Sequence, residues 1–198
     1  VVDTMLSDLD ETVAFVTGAS RGIGRAISVA LAREGASLAL ASRSPGALEK
    51  TASACREHGV ETVTVETDVR DRDGVHASIE YAVEQLGGLD ILVNNAGKYV
   101  SQPIDRADLG EWEETVETNV LGAMYATRFA LPHIKIGRSD GKRGAVINIA
   151  SIAGEMSFEG GGAYCASKHG LVGLSGSIFE DVREEGIKVT AIKPGFVN

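Results

Sequence analysis

The chain has 198 residues, enough for one α/β domain with a full-sized core. Its hydrophobic fraction of 43% and charged fraction of 24% are ordinary for a globular protein, and no apolar run is long enough to span a membrane. The formal net charge of −9 disfavours nucleic acid as a partner, because phosphate binding needs a basic surface.

Cysteine and histidine usage gives no sign of a disulfide framework or a metal site. Cys55 and Cys165 are expected to be reduced apolar fillers, and the four histidines lack the spacing of metal ligands. The acidic N-terminus, residues 1–11, lacks the basic-then-apolar pattern of a signal peptide. We therefore expect no metal and a cytoplasmic location.

Predicted strands and helices alternate from end to end. Strands are predicted near 12–17, 37–42, 61–66, 89–94, 145–150 and 188–193, and helices near 22–35, 45–58, 71–87, 109–134 and 162–186. Runs such as Val13–Val16 are almost continuously apolar, as in strands buried on both faces. The pattern predicts a single α/β domain, with a doubly wound parallel sheet in a three-layer α/β/α arrangement.

A glycine-rich turn connects the first strand to the first helix. Gly18 allows a tight turn, Gly22 lets the backbone approach a pyrophosphate, and Gly24 lets the helix pack closely on the sheet. The helix N-terminus offers free N–H groups and a positive dipole to phosphates. We expect this turn to bind a dinucleotide through Gly18, Ser20, Arg21, Gly22, Ile23 and Gly24.

The end of the second strand indicates which nicotinamide cofactor binds. NAD sites carry an acidic residue there, whereas this chain has Ser42 and Arg43, with Arg21 in the glycine-rich turn. Guanidinium groups supply forked donors suited to a 2′-phosphate. The arginines therefore predict NADP(H) rather than NAD(H), and the alternative is two solvated arginines with no role in binding.

A tyrosine and a lysine, Tyr164 and Lys168, lie one turn apart early in the last predicted helix. A nearby ammonium favours the phenolate form of a tyrosine, which can exchange a proton with a carbonyl or alcohol oxygen. Ser151, directly after the fifth strand, offers a hydroxyl that can hydrogen-bond the reacting oxygen. These three residues are the candidate catalytic group.

Two further features concern the surface. The segment 135–144 is a polar, basic insertion, and it is either a solvated loop or a docking patch for an acidic partner.

The last helix is apolar over more than one stripe, as in Leu171–Leu174 and Ile178–Phe179, which is typical of a helix with neighbours on two sides. We expect the second neighbour to be another subunit, in a homodimer or homotetramer.

Taken together, these motifs resemble the short-chain dehydrogenase/reductase family. The matches extend from Thr12 to Asn198 and comprise Thr17–Gly24, Asp68, Val69, Asn94–Gly97, Asn119, Ser151, Tyr164, Lys168, Pro194 and Gly195. The resemblance implies a Rossmann fold and an oxidoreductase that interconverts a small-molecule ketone or aldehyde with an alcohol. The cofactor would carry the hydride while the protein supplies geometry and electrostatics.

The resemblance also implies catalytic roles. Tyr164 would be the general acid in reduction and the general base in oxidation, and Lys168 would hold the nicotinamide ribose and favour the tyrosine phenolate. Ser151 would orient the substrate oxygen. Asn119 would place a water that links Lys168 to solvent.

Further residues would contact the cofactor. By resemblance, the adenine would meet Asp68 and Val69, the adenine-ribose side would be lined by Asn95, Ala96 and Gly97, and the nicotinamide would be flanked by Pro194, Gly195 and Val197. Two alternatives stay open. Asp68 could instead cap the helix that starts near Asp71, and 94–97 could mainly hold neighbouring strand ends.

The sequence ends soon after Pro194 and Gly195, where family members normally continue with a substrate lid, a helix and a seventh strand. We expect the sequence to be part of a longer protein rather than a truncated one. Much of the substrate choice would lie in that segment. In the part that is present, Tyr99, Met156 and Phe158 favour an apolar or bulky substrate.

Two rival functions are considered. One is 3-oxoacyl-acyl-carrier-protein reductase, but Pro132 and Glu185 stand where that group carries basic residues for its acidic carrier, although the 135–144 loop could substitute. The other is an inactive NADP(H)-binding regulatory protein on the same fold. A complete set of Asn119, Ser151, Tyr164 and Lys168 disfavours the second, because a sensor does not need a proton relay.

Overall fold

The structure is a computed structural model that describes residues 9–135 and 144–196. Six parallel strands form one sheet in the order β3-β2-β1-β4-β5-β6. Their bounds are β1 Val13–Thr17, β2 Ser37–Ser42, β3 Thr62–Glu66, β4 Ile91–Asn94, β5 Ala145–Ile149 and β6 Lys188–Ile192. The doubly wound parallel sheet expected from the sequence is confirmed.

Helices connect the strands and cover both faces of the sheet. They are α1 Gly22–Arg33, α2 Pro45–Arg56, α3 Arg72–Leu86, α4 Leu109–Val116, α5 Gly122–Lys135 and α6 Gly162–Val182, with short 3₁₀ turns at Ile104–Arg106, Ile152–Gly154 and Arg183–Glu185. Among the helices of the described ranges, none is both long and apolar enough to cross a membrane.

The prediction of one continuous helix over 109–134 is wrong in one respect. A π-helical turn, Glu117–Leu121, separates α4 from α5. Such a turn inserts one residue into the helix and often marks a functional position. Its middle residue is Asn119, whose side chain is buried and bonded to the chain after β4. The interruption therefore coincides with a residue that the sequence motif singled out.

The central strands explain why the apolar runs predict a buried sheet. All five residues of β1 are buried. Phe15 packs on one face with Leu92 and Val146, while Val16 packs on the other face with Leu40. Because successive strand residues point to opposite faces, a strand covered on both sides must be apolar throughout.

The order of the strands determines where a ligand can bind. The chain winds outward from β1 to β3 in one direction and from β4 to β6 in the other, and β1 and β4 lie side by side. In an open parallel sheet, the crevice beyond the carboxyl ends of the strands at such a reversal is the usual binding site. The predicted functional residues follow these carboxyl ends.

Candidate active site

A cleft of about 530 Å³ lies at this reversal point. Thirteen of the predicted cofactor residues line it, namely Gly18, Ser20, Arg21, Gly22, Ile23, Gly24, Ser42, Arg43, Asp68, Val69, Asn95, Ala96 and Gly97. Sequence reasoning missed four others, namely Ser44, Ala47, Thr67 and Thr118. Each lies within four positions of a predicted residue, and nothing in its residue type distinguishes it from an ordinary loop or helix residue.

Close packing explains the glycines at two positions of the turn after β1. Gly18 has a φ of +64°, and a Cβ there would lie 2.9 Å from both Ala96 Cα and Asn95 Nδ2. A Cβ at Gly24 would overlap the Gly18 carbonyl oxygen and the Asn95 amide. Asn95 Nδ2 in turn donates to the carbonyl oxygens of Thr17, at 3.0 Å, and Gly18, at 3.1 Å. The turn is therefore held against the chain that follows β4.

The N-terminus of α1 has the properties of a phosphate site. Arg21 occupies the N-cap position in an extended conformation, and no side chain caps the helix. No acidic residue lies in its first turn. The first N–H groups of a helix have no partner within the helix, and they attract anions. The first N–H groups of α1 are therefore available to a ligand in the cleft.

The far end of the cleft is strongly charged. Arg70, which the sequence motifs did not single out, donates from Nη2 to Asp68 Oδ2 at 2.6 Å. This hydrogen bond is the main reason that the pKa of Asp68 lies below its ordinary value. Arg43 Nη1 lies 4.0 Å from the same carboxylate. Asp68 does not cap α3, because Asp71 is the N-cap and accepts the N–H of Asp73, so that alternative is wrong.

The segments that carry the predicted catalytic residues meet beside the cleft, because Lys168 Nζ bonds to the carbonyl oxygen of Ile149, two residues before Ser151, and a Cβ at Gly97, which lines the cleft, would lie 3.7 Å from Lys168 Nζ. Ser151 follows β5, and its Oγ accepts the N–H of Ala153 at 3.1 Å, which leaves the hydroxyl proton available for a ligand. Tyr164 lies in the first turn of α6, partly buried, and its ring centroid is 5.8 Å from Lys168 Nζ. The ring of Tyr99 meets that of Tyr164 edge-on, with centroids 4.9 Å apart.

Lys168 is a buried cation. Its relative exposure is 5%, and Nζ donates to the carbonyl oxygen of Ile149 at 2.8 Å. Burial lowers the pKa of its amine from the ordinary value to about 8. The ammonium form therefore persists at neutral pH, close to the Tyr164 ring. Such a perturbed group beside a cleft is typical of a functional site.

Asn119 ties three segments together through its side chain. It accepts the N–H of Lys98 at 2.7 Å and donates to the carbonyl oxygen of Lys98 and to Ser167 Oγ, both at 2.9 Å. Gly97 lies between this amide and Lys168, since a Cβ there would be 3.4 Å from Asn119 Oδ1 and 3.7 Å from Lys168 Nζ. The side chain of Asn119 thus fixes the loop after β4 against α6.

The remaining predicted residues lie at the end of the described chain or outside it. Pro194 follows β6, and its carbonyl oxygen accepts the N–H of Ile152 at 3.1 Å, which places it beside the turn that starts at Ser151. Gly195 comes next in the chain and does not line the 530 Å³ cleft. Val197 and most of the basic loop at 135–144 lie outside the described residues.

Cys55 and Cys165 are both buried and form no disulfide with each other. Burial raises the pKa of the Cys55 thiol. Over residues 9–135 and 144–196, no group of three or more His, Cys, Asp and Glu side chains is placed to hold a metal ion.

Comparison with known proteins agrees with this geometry. The family profile described as short chain dehydrogenase matches residues 12–198. The 3-oxoacyl-acyl-carrier-protein reductase FabG of Staphylococcus aureus (strain Mu50) is 38% identical over 187 residues, which cover 93% of this chain and 74% of that protein. A structure of NAD+-bound xylitol dehydrogenase has a TM-score of 0.91 and 30% identity, and covers 96% of this chain and 72% of that one.

Carveol dehydrogenase from Mycobacterium avium, solved in complex with NAD, has a TM-score of 0.88 and 30% identity over 94% of this chain and 71% of that one. A family match over almost the whole chain and relatives above 30% identity agree with the sheet order and the placement of the motifs. The chain therefore belongs to the short-chain dehydrogenase/reductase family of oxidoreductases, which act on alcohol and carbonyl groups.

Proposed function

We propose that the protein uses NADP(H) to interconvert a small-molecule ketone or aldehyde with the corresponding secondary or primary alcohol. The observation that carries this proposal is the position of Lys168, whose Nζ is 5.8 Å from the Tyr164 ring, is bonded to the strand that leads into Ser151 and lies next to a cleft with an uncapped helix terminus. The cleft, the free N–H groups of α1 and the basic Arg21 fit a dinucleotide. The bound cofactor would exchange the hydride, and the protein would handle the proton.

The proton would pass through Tyr164. The Ser151 hydroxyl, whose oxygen already accepts a backbone N–H, donates to the substrate oxygen and holds it near the Tyr164 phenol. Tyr164 gives its proton to that oxygen in reduction and takes it back in oxidation. The buried ammonium of Lys168 stabilises the phenolate that forms and holds the nicotinamide ribose.

Asn119 completes the proposed proton path. Its side chain is bonded to Lys98 and Ser167, so we assign the side chain to positioning. By fixing the loop after β4 against α6, Asn119 would place a water that links Lys168 to solvent.

The proposed cofactor contacts follow the lining of the cleft. The pyrophosphate would bind at Gly18–Gly24 and α1, and the adenosine would lie towards Ser42, Arg43, Asp68 and Val69. Asn95, Ala96 and Gly97 would line the ribose side. Pro194, Gly195 and Val197 would flank the nicotinamide, next to Ser151.

The preference for NADP(H) is supported by the two arginines. Arg21 has no ion-pair partner among the described residues, so its charge is available to a 2′-phosphate. The second strand ends at Ser42 and is followed by Arg43, without the acidic residue that binds the ribose hydroxyl of NAD. The two solved relatives named above carry NAD, so the likeness to them does not support NADP(H). The cofactor preference therefore has to be measured on this protein.

A second candidate function is the reduction of 3-oxoacyl groups on acyl-carrier protein. The 38% identity to FabG of Staphylococcus aureus favours it. Pro132 in α5 and Glu185 after α6 disfavour it, because both are exposed where a basic residue would meet an acidic carrier. Most of the basic loop at 135–144 lies outside the described residues, and its basic side chains are the ones that would contact the acidic carrier instead.

We further propose that two or four copies associate and that the protein works in the cytoplasm. Exposed apolar side chains on α4, α5 and α6, namely Val116, Met124 and Phe179, support association. Two buried thiols without a disulfide between them fit a reducing compartment. Sedimentation of the protein at micromolar concentration measures the first proposal directly, and a monomer would contradict it.

The function is tested by following NADPH absorbance with two matched substrate sets. One set is a panel of simple ketones and aldehydes, and the other is acetoacetyl thioesters, including one carried on acyl-carrier protein. Turnover of simple ketones supports the leading proposal, and turnover restricted to thioesters supports the carrier-protein alternative. If the protein binds NADPH but reduces neither set, the regulatory alternative takes the place of both.

A further inference from the structure

Glu114, on α4, contacts cations from three different segments of the chain. Its Oε2 accepts a hydrogen bond from Lys98 Nζ. Its Oε1 lies 3.0 Å from Arg70 Nη1 and 3.7 Å from Arg43 Nη1. These cations hold the pKa of Glu114 below its ordinary value, chiefly through the Lys98 hydrogen bond and then through the charges of Arg70 and Arg43. Glu114 is therefore ionised at neutral pH.

Glu114 closes a ring of alternating charges at the adenine end of the cleft. The ring, which we call the charge ring, consists of Arg43, Asp68, Arg70 and Glu114. Each carboxylate contacts both guanidinium groups, and the four charges sum to zero. Arg43 and Asp68 line the cleft, whereas Arg70 and Glu114 do not. The charge on Arg43 is thus partly offset before any phosphate arrives.

The contacts of the two arginines differ in kind. Arg70 makes short, directed contacts, at 2.6 Å to Asp68 and 3.0 Å to Glu114. Arg43 lies 4.0 Å and 3.7 Å from the same two carboxylates, outside hydrogen-bonding distance, and its side chain is 62% exposed. Glu114 therefore acts on Arg43 through charge and does not fix its geometry.

We propose that Glu114 is a cofactor-specificity residue, because its carboxylate competes with the 2′-phosphate of NADP(H) for Arg43. The carboxylate lowers the positive potential at the 2′ position and so limits the preference for NADP(H) over NAD(H). Neutralising Glu114 increases that preference. This inference rests on the proposed function in one respect, which is that Arg43 faces the 2′ position of the bound cofactor.

The test is the binding of two cofactor fragments to the Glu114→Gln variant. Adenosine 2′,5′-bisphosphate and 5′-AMP differ only in the 2′-phosphate, and calorimetric titration measures both without any turnover. We expect E114Q to raise the affinity ratio of the first over the second by about 1.5-fold to fivefold, the range of one exposed charge pair. The gain should shrink as salt is raised, because exposed charges are screened.

Three further variants separate charge at Arg43 from other effects. Glu111→Gln removes a neighbouring carboxylate of α4 that pairs with Lys98, at 2.8 Å, and is not in the charge ring, so it should leave the ratio unchanged. E114D keeps the charge and should behave nearly as the unaltered protein. In an R43M background, E114Q should have no effect on the ratio.

The outcomes distinguish this inference from the cofactor proposal. A ratio in E114Q that is equal to or below that of the unaltered protein overturns the inference, and so does an equal gain in E111Q or a gain that persists in R43M. An unaltered protein that binds both fragments equally contradicts the NADP(H) proposal. If E114Q then binds adenosine 2′,5′-bisphosphate more tightly than 5′-AMP, the inference stands. In that case the carboxylates of the charge ring fully offset the charge of Arg43 in the unaltered protein.

Discussion

Lys168 donates a hydrogen bond from its buried Nζ to the carbonyl oxygen of Ile149, the last residue of β5, at 2.8 Å. This bond ties α6 to the strand whose end leads into Ser151. The amine is thus fixed between the two elements that carry the other proposed catalytic groups. Its burial has an energetic consequence, because the lowered pKa means that the folded state disfavours the charge.

Replacing Lys168 with methionine should stabilise the cofactor-free protein at neutral pH while abolishing turnover. The pKa falls from 10.5 to about 8 on folding, so the charged form costs about 3 kcal/mol below pH 8. Losing the partner of the Ile149 carbonyl offsets about 1 kcal/mol of that gain. Urea unfolding of K168M should therefore show a gain of about 2 kcal/mol at pH 7.

The pH dependence of this difference checks its cause. Between pH 8 and 10.5 the unfolded chain keeps a proton on Lys168 that the folded chain has lost. The stability of the unaltered protein therefore rises relative to K168M across that window, and the advantage of the variant shrinks. A difference that does not change with pH would show that burial of the charge is not its origin.

Replacing Asn119 with alanine should destabilise the fold by about 2–3 kcal/mol, because the N–H and carbonyl oxygen of Lys98 both lose a partner. Asn119 is 1% exposed, so water cannot easily replace the amide. Ser167→Ala keeps both contacts to Lys98 and is the matched control; it removes the bond from the amide to Ser167 Oγ and the local bond from Ser167 Oγ to the Tyr164 carbonyl oxygen, with an expected loss of about 1 kcal/mol. Chemical denaturation gives both values, and equal losses in the two variants would contradict the role assigned to the amide.

Gly24→Ala should impair both folding and cofactor binding. The new Cβ would overlap the Gly18 carbonyl oxygen and the Asn95 amide, which are hydrogen-bonded to each other, and the amide also donates to the Thr17 carbonyl oxygen. Overpacking of this kind costs about 1–3 kcal/mol. Gly46→Ala in the first turn of α2 is the control, since a Cβ there meets nothing within 4 Å. Thermal unfolding with and without NADPH should separate the two variants, and a G24A protein as stable as G46A would refute the packing argument.

Arg21→Ala should weaken binding of NADPH by about tenfold and leave NADH almost unaffected, because a charged contact to the 2′-phosphate is lost. Fluorescence titration with each dinucleotide measures the effect. Arg25→Ala serves as a control for overall charge, since Arg25 lies on α1 but does not line the cleft. Equal losses for the two cofactors would place Arg21 at the pyrophosphate instead.

The fold could be predicted from sequence because the information is local. Val13–Thr17 is apolar at every position but the last and is buried at all five, so the run itself indicates a strand covered on both faces. The spacing of Gly18, Gly22 and Gly24 depends on one turn and one helix, and the structure places all three at the lining of the cleft. The family assignment followed from the same motifs and is confirmed.

Other features depend on partners far away in the chain. The contact between Asn119 and Lys98 joins residues 21 positions apart, and it accompanies a π-helical turn that no periodicity revealed. Arg70 and Glu114 belong to no motif, yet they set the charges around Arg43 and Asp68. Such contacts arise only when the loops after β2, β3 and β4 come together with α4, so residue types alone could not indicate them.

The core of the proposed mechanism is that Tyr164 transfers the proton while neighbouring groups hold the substrate and cofactor. Its most direct test is the Tyr164→Phe variant, with NADPH binding and ketone reduction measured on the same preparation. We expect a loss in kcat of about a thousandfold or more, within the range expected for a general acid, with a dissociation constant for NADPH that stays within about twofold. Turnover near that of the unaltered protein would contradict it.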